Sequence, residues 1–101
     1  MKLVRDNIPQ LIRGDGKWCI TRTVCDSNEH MQHLRDKIIE EADEFLAHPC
    51  HEEAADMLEV LWAFCDLNNF NWSEVVRVAE DKRQTHGGFA RGIVLQEVGE
   101  K

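Results

Sequence analysis

Two long segments of helical periodicity, separated by one break at Pro49, constrain the fold of this 101-residue chain more than any other feature. The first helix is predicted over residues 26–47 and the second over residues 51–67. Proline ends a helix because it lacks a backbone N–H and disfavours helical geometry in the preceding residue. Because the connection is short, the pattern predicts two antiparallel helices that pack as a hairpin.

Shorter segments flank this predicted hairpin. Apolar residues at helical spacing predict a helix over residues 6–13, and a cap signal at Asn71 predicts another over residues 71–85. Residues 17–25 carry a period-two pattern rich in β-branched side chains, which predicts one short strand or an extended arm. We therefore expect a mainly all-α fold, and the length allows a single domain over residues 1–101.

The second predicted helix is apolar nearly all round. A helix of this kind must be covered on most of its sides. A chain of this length has few elements that could cover it, so we expect a partner chain to complete the helical bundle. The apolar residues of this helix are Met57, Leu58, Val60, Leu61, Trp62, Ala63, Phe64, Cys65 and Leu67.

The acidic charge of the chain is concentrated in one stretch. The formal net charge is −7, from 12 Lys and Arg against 19 Asp and Glu, and residues 40–59 contain eight of the acids and neither Lys nor Arg. An acidic chain without a long basic run is poorly suited to bind nucleic acid or an anionic membrane. Since bilayer-spanning and signal-peptide patterns are both missing, we expect a cytoplasmic protein without nucleic-acid or membrane partners.

Glu41 occupies a position that the helical pattern reserves for an apolar side chain. It falls on one stripe of the first long helix with Leu34, Ile38 and Phe45, at spacings of four, three and four. A carboxylate in a low-dielectric interior is costly, so it is normally paired, protonated or bound to a metal. No Lys or Arg within the acidic stretch is available to pair with it.

Acids of the second long helix match those of the first across the hairpin. Glu53 and Asp56 continue the inward stripe of the second helix. An antiparallel hairpin centred on the break sets Glu41 level with Asp56, and Glu44 level with Glu53. The four carboxylates would then form an all-oxygen site, which suits Mg²⁺ or Mn²⁺ better than zinc.

Two simpler interpretations of the acids remain open. Acids in the first turn of a helix interact favourably with the helix dipole without any function, which covers the second helix but not Glu41. The remaining acids fit a solvated face, although Glu40 and Glu59 are also candidates for further groups around the metal ligands. These remaining acids are Glu40, Asp43, Glu52 and Glu59.

The order of three motifs resembles one known superfamily. Residues 40–44 and 53–56 are similar to the EExxE…ExxD signature of the all-α nucleoside triphosphate pyrophosphohydrolases, the MazG and phosphoribosyl-ATP pyrophosphohydrolase-like superfamily. Residues 2–9 resemble the KLVRDxIP opening of one branch, and residues 82–95 resemble its K…RGGF…I.L ending. The likeness extends over nearly the whole chain, and the ordered set is more specific than any single motif.

The resemblance implies an all-α homodimer or homotetramer that hydrolyses a nucleoside triphosphate to the monophosphate and pyrophosphate with Mg²⁺. Carried over by position, the metal ligands are Glu41, Glu44, Glu53 and Asp56. The chain departs from the family pattern at His86, where the ending usually has Arg, and in its short hairpin loop.

The implied chemistry assigns further roles. Glu41 or Glu44 could orient or deprotonate the attacking water. Positive side chains should stabilise charge on the leaving pyrophosphate, and Lys82 with Arg83 are the first candidates, followed by Arg5 and Lys2.

Two other functions compete with this one. Phosphoribosyl-ATP hydrolysis would use the same four acids, although the opening motif points to the other branch. A non-catalytic helical interaction module with the same fold would use the apolar second helix as a partner surface and would not need the acids.

Overall fold

A computed structural model describes residues 1–100 of the protein, and the all-α prediction is confirmed. The described residues contain four helices and no strand. Their order along the chain is α1 (Ile8–Gly14), α2 (Ser27–Ala47), α3 (His51–Leu67) and α4 (Trp72–His86).

The signals that begin and end the helices act as expected. The Asp26 carboxylate accepts a hydrogen bond from the backbone N–H of Glu29 at 2.8 Å and caps α2. The Asn71 side chain accepts one from Glu74 at 3.3 Å and caps α4. Such caps satisfy backbone donors that have no partner inside the helix. Helix α2 ends before Pro49 and α3 begins after it, as predicted.

Helices α2 and α3 pack against each other as the predicted antiparallel hairpin. The Asn68 amide, at the end of α3, lies 3.4 Å from the Met31 sulfur near the start of α2. The apolar core centres on Leu34, Val60 and Cys65, which are the buried apolar residues of the described chain. This core is small because the other apolar side chains on the two helices are either half-buried or exposed.

Residues 17–25 were predicted to form either one short strand or an extended arm, and of these two alternatives the strand is excluded. The segment has no regular secondary structure, since no strand in the described residues pairs with it. It is instead fixed at its C-terminal end by Glu29 of α2. The Arg22 guanidinium donates two hydrogen bonds to this carboxylate at 2.8 and 2.6 Å, and the Cys25 backbone N–H donates a third at 2.8 Å.

The chain divides into two compact units. The first, Met1–Phe70, contains α1 to α3, and the second, Asn71–Lys101, contains α4. Within the described residues, no helix combines the length and the apolar character needed to cross a membrane. The assignment of residues 1–101 to a single domain stays a prediction.

Apolar side chains of the hairpin remain open to solvent in the first unit. Leu58 and Leu61 on α3 are 51% and 43% exposed, and Ile39 and Leu46 on α2 are more exposed still. Single exposed apolar residues are ordinary. Several on two adjacent helices make this side of the hairpin a candidate for a surface that another chain covers. The expectation that a partner chain covers α3 therefore stays a prediction.

The contacts of Glu29 predict an acid-sensitive contribution to stability. Hydrogen bonds from Arg22, and then from the Cys25 backbone, lower the pKa of Glu29 from 4.5 to about 2. Because the folded-state pKa is lowered, the ionised carboxylate stabilises the fold above about pH 4.5, and this contribution is lost as the pH falls towards about 2. The free energy of unfolding should therefore be larger for the wild type than for Glu29→Gln. This difference should shrink as the pH falls below about 4.5.

Urea denaturation between about pH 7 and about pH 3 measures this difference. Glu97→Gln, in the exposed C-terminal segment, is the control and should show no such pH dependence. A constant difference between wild type and Glu29→Gln across the range would contradict the prediction.

Candidate metal centre

Three of the four predicted ligands meet between α2 and α3. One carboxylate oxygen from each of Glu41, Glu53 and Asp56 lies within 4.8 Å of the others. Residues three apart on a helix share a face, so the spacing of Glu53 and Asp56 directs both towards α2. The antiparallel packing then brings Glu41 opposite them, in the register expected from the sequence.

Glu41 is buried within this cluster, with one carboxylate oxygen lacking a partner. Glu41 is 6% exposed, and its Oε2 atom has no hydrogen-bond partner among the described residues. The Oε2 atom of Glu53 is buried and unpartnered in the same way. Leaving such oxygens unsatisfied costs free energy. A cation bound between the carboxylates would remove that cost, so these residues fit a metal site.

Glu44 is exposed at the edge of the cluster and is not one of the three residues whose oxygens converge, so its role as a fourth ligand stays a prediction. It follows Glu41 by the same three-residue spacing that separates Glu53 from Asp56, so it lies on the same side of α2, but it is exposed where Glu41 is buried. The negative charge of Glu41, followed by burial and the charges of Glu53 and Glu40, raises the pKa of Glu44 above its ordinary value. The cluster therefore has a buried trio and a fourth carboxylate at its edge.

Positive charges reach the cluster from outside the acidic stretch. The Lys37 ammonium lies 3.4 Å from Glu41 Oε1 and also 3.4 Å from Glu40 Oε1. The Arg5 guanidinium donates to Asp56 Oδ1 at 2.7 Å. Lys37 was missed by the sequence prediction, although its position four residues before Glu41 places it on the same helical face. The pairing of Arg5 with Asp56 has no such local signal.

A groove of about 580 Å³ lies beside the cluster in the first unit. It runs between the N-terminal segment, residues 1–7, and the helical hairpin. Its charged lining residues include Arg5, Lys37, Glu41 and Asp56. Glu59 also lines the groove, whereas Glu40 is held by Lys37. Apolar residues, among them Leu34 and Val60, form the rest of its wall. The groove thus joins apolar surface to both charge signs, as small-molecule sites commonly do.

The other predicted substrate contacts have different surroundings. Lys82 and Arg83 belong to the second unit, where they line a pocket of about 400 Å³ with His86, Gly87 and Gly88. The backbone N–H of Gly87 donates to the Arg83 carbonyl and ends α4. Lys2 is exposed and forms no ion pair among the described residues. Roles for these residues in the chemistry of the carboxylates stay predictions.

No known family model matches this chain, and no curated protein or solved structure matches it. What the site can do therefore follows from its own donor set. Three carboxylates without His or Cys provide hard oxygen ligands, which favour Mg²⁺, Mn²⁺ or Ca²⁺ over zinc and copper. The nearby Arg5 and Lys37 add positive charge, which such a site needs if it is also to bind an anion.

The carboxylate trio predicts that Mg²⁺ stabilises the folded protein. A ligand at about a hundredfold excess over its Kd stabilises by about 2.7 kcal/mol, which would raise the Tm of a chain of this size by about 13 °C. The rise should be largely lost in the double variant Glu41→Gln, Asp56→Asn. Differential scanning calorimetry with and without Mg²⁺ measures it.

The matched control is Asp43→Asn, Glu52→Gln, which removes the same charge from exposed positions on the same two helices. It should keep the wild-type response. A full response in the Glu41 and Asp56 double variant would place the cation elsewhere.

Proposed function

We propose that the protein hydrolyses a nucleoside triphosphate to the monophosphate and pyrophosphate with Mg²⁺ as cofactor, or Mn²⁺ in its place. The observation that carries this proposal is the buried, unpartnered carboxylate oxygen of Glu41 beside Glu53 and Asp56. The ordered motifs of residues 2–9, 40–56 and 82–95, with their resemblance to the MazG-like superfamily, support the choice of reaction. The proposal places the protein in the cytoplasm.

The acidic residues have different roles in the proposed reaction. Glu41, Glu53 and Asp56 would hold the cation, which would bind the phosphate oxygens and lower the pKa of a bound water. Glu44, exposed at the edge of the cluster, is the carboxylate that we assign to accept a proton from the attacking water. Glu59 lines the same groove and is the next acid available to this site.

Basic residues would bind and stabilise the phosphate chain. Arg5 and Lys37 already lie in the groove beside the carboxylates. By the resemblance of the motifs alone, Lys82 and Arg83 are the first candidates to stabilise charge on the leaving pyrophosphate, and Lys2 is a later one. Lys82 is therefore the basic residue with a catalytic role in this scheme.

The reaction predicts a defined product pair. With Mg²⁺ and a panel of nucleoside triphosphates, we expect equal amounts of monophosphate and pyrophosphate, measured by chromatography and a coupled pyrophosphate assay. Loss of a residue that only supports a metal ligand commonly costs 10- to 100-fold. Glu41→Gln removes a ligand itself and should lower kcat/KM at least about a hundredfold, while Glu52→Gln, an exposed acid of α3, should not.

The same assay separates the alternatives. Turnover of phosphoribosyl-ATP in preference to every nucleoside triphosphate would support the histidine-biosynthetic reaction at the same acids. Orthophosphate without pyrophosphate would mean that a different bond is cut. No turnover of any nucleotide at any Mg²⁺ or Mn²⁺ concentration would leave the non-catalytic interaction module as the better account.

We further propose that the protein is a homodimer or homotetramer that covers the open apolar surface of α2 and α3. The support is the exposure of Ile39, Leu46, Leu58 and Leu61 on two helices whose packed core is small. Burial of such side chains between copies would supply free energy that the single chain lacks.

An interface on this surface predicts that one charge disrupts it. Leu61→Glu should shift the sedimentation-equilibrium mass towards that of one chain, because an interface buries an unpaired carboxylate at high cost. Gln10→Glu, an exposed position on α1, is the control and should leave the mass unchanged. A wild-type mass of one chain at all concentrations would exclude the proposed oligomer.

A further inference from the structure

Arg5 forms an ion pair with a carboxylate that also belongs to the candidate metal centre. Its guanidinium lies 2.7 Å from Asp56 Oδ1, and the side chains of Arg5 and Asp56 are 56% and 41% exposed. An ion pair this open to water is weak and can be exchanged. Asp56 is at the same time one of the three carboxylates whose oxygens converge within 4.8 Å.

We propose that Arg5 and a divalent cation exclude one another at Asp56, so that cation binding releases the N-terminal segment. This inference rests on the proposed function, because it takes the carboxylate trio to be a cation site. The trio is more than an acidic surface patch, since Glu41 is only 6% exposed, and Glu41 and Glu53 each have a buried carboxylate oxygen without a hydrogen-bond partner.

The exclusion follows from charge. A guanidinium and a divalent cation on the same carboxylate are like charges held close together, which raises the free energy of having both. The cation interacts with three carboxylates, whereas Arg5 interacts with one. The cation is therefore the stronger competitor once its concentration is sufficient, and Arg5 is the group that leaves.

Lys37 responds differently because it has a second partner. It lies 3.4 Å from both Glu40 and Glu41, so it retains Glu40 when Glu41 binds a cation. Arg5 pairs with Asp56 alone among the described residues. The exchange therefore acts on the N-terminal segment and leaves α2 in place.

Release of Arg5 loosens the chain before α1. The Arg5 carbonyl accepts a hydrogen bond from the Ile8 backbone N–H at 3.1 Å, at the start of α1. Preceding Arg5, Leu3 is half-buried, whereas Lys2 and Val4 are exposed. The Arg5 side chain is thus the main polar contact that holds residues 1–7 on the hairpin.

Calorimetric titration with Mn²⁺ tests the exchange in the full-length chain. Arg5→Gln should bind Mn²⁺ about two- to fivefold more tightly than wild type, the range that an exposed ion pair accounts for. Arg13→Gln, which removes the same charge from an exposed site on α1, should bind like wild type. Arg5→Lys keeps the positive charge and should stay close to wild type.

Hydrogen exchange followed by mass spectrometry gives an independent readout. Because coupling between two binding events is reciprocal, Mn²⁺ should speed amide exchange of Ile8 in the wild type, since its backbone N–H donates to the Arg5 carbonyl at 3.1 Å. In Arg5→Gln this exchange should already be fast without Mn²⁺, and added Mn²⁺ should change it little.

The outcomes distinguish this inference from the proposed function. If Mn²⁺ binds in a Glu41-dependent way but Arg5→Gln binds no more tightly than Arg13→Gln, the exchange is wrong and the cation site stands. Weaker binding by Arg5→Gln would also overturn it, because Arg5 would then orient Asp56 for the cation. If neither the wild type nor Arg5→Gln binds Mn²⁺, the inference fails together with the proposed function.

Discussion

The packing of α2 against α3 places a carboxylate where the core pattern calls for an apolar side chain, and the site depends on that contact. Glu41 shares its stripe with Leu34, so the face that buries Leu34 also buries Glu41. The same packing brings Glu53 and Asp56 opposite it. Apolar burial therefore holds together three like charges that would otherwise repel one another.

Nearby bases lower the cost of this arrangement without removing it. Lys37 and Arg5 each pair with one oxygen of the trio, but an oxygen of Glu41 and one of Glu53 remain buried and unpartnered. The ion pairs with Lys37 and Arg5 contribute little to stability where they are open to water, so they do not offset the burial of these oxygens. A cation bound at these oxygens would recover the free energy that their burial without a partner costs. Stability and cation affinity thus make opposite demands on the same residues.

The helices and all three residues of the trio could be predicted because their signals are local. Pro49 separates the two long helices, which is why α3 was predicted over its observed range, His51–Leu67, and the start of α2 was predicted from the Asp26 side chain, which caps it. The prediction that Glu41 lies level with Asp56 follows from the short loop between α2 and α3. For residues 17–25 the pattern left a short strand and an extended arm as alternatives, because strand formation needs a distant partner, which these residues do not have in the described chain.

By itself, the sequence determined the helical hairpin and the presence of acids on its inward stripes, because periodicity and caps act over one or two turns. Only the tertiary structure decided which acids are buried, with Glu41 inside and Glu44 at the edge. It also decided that Arg5 reaches Asp56 from 51 residues away. Burial and long-range ion pairs depend on how elements pack in three dimensions, and no spacing along the chain records that.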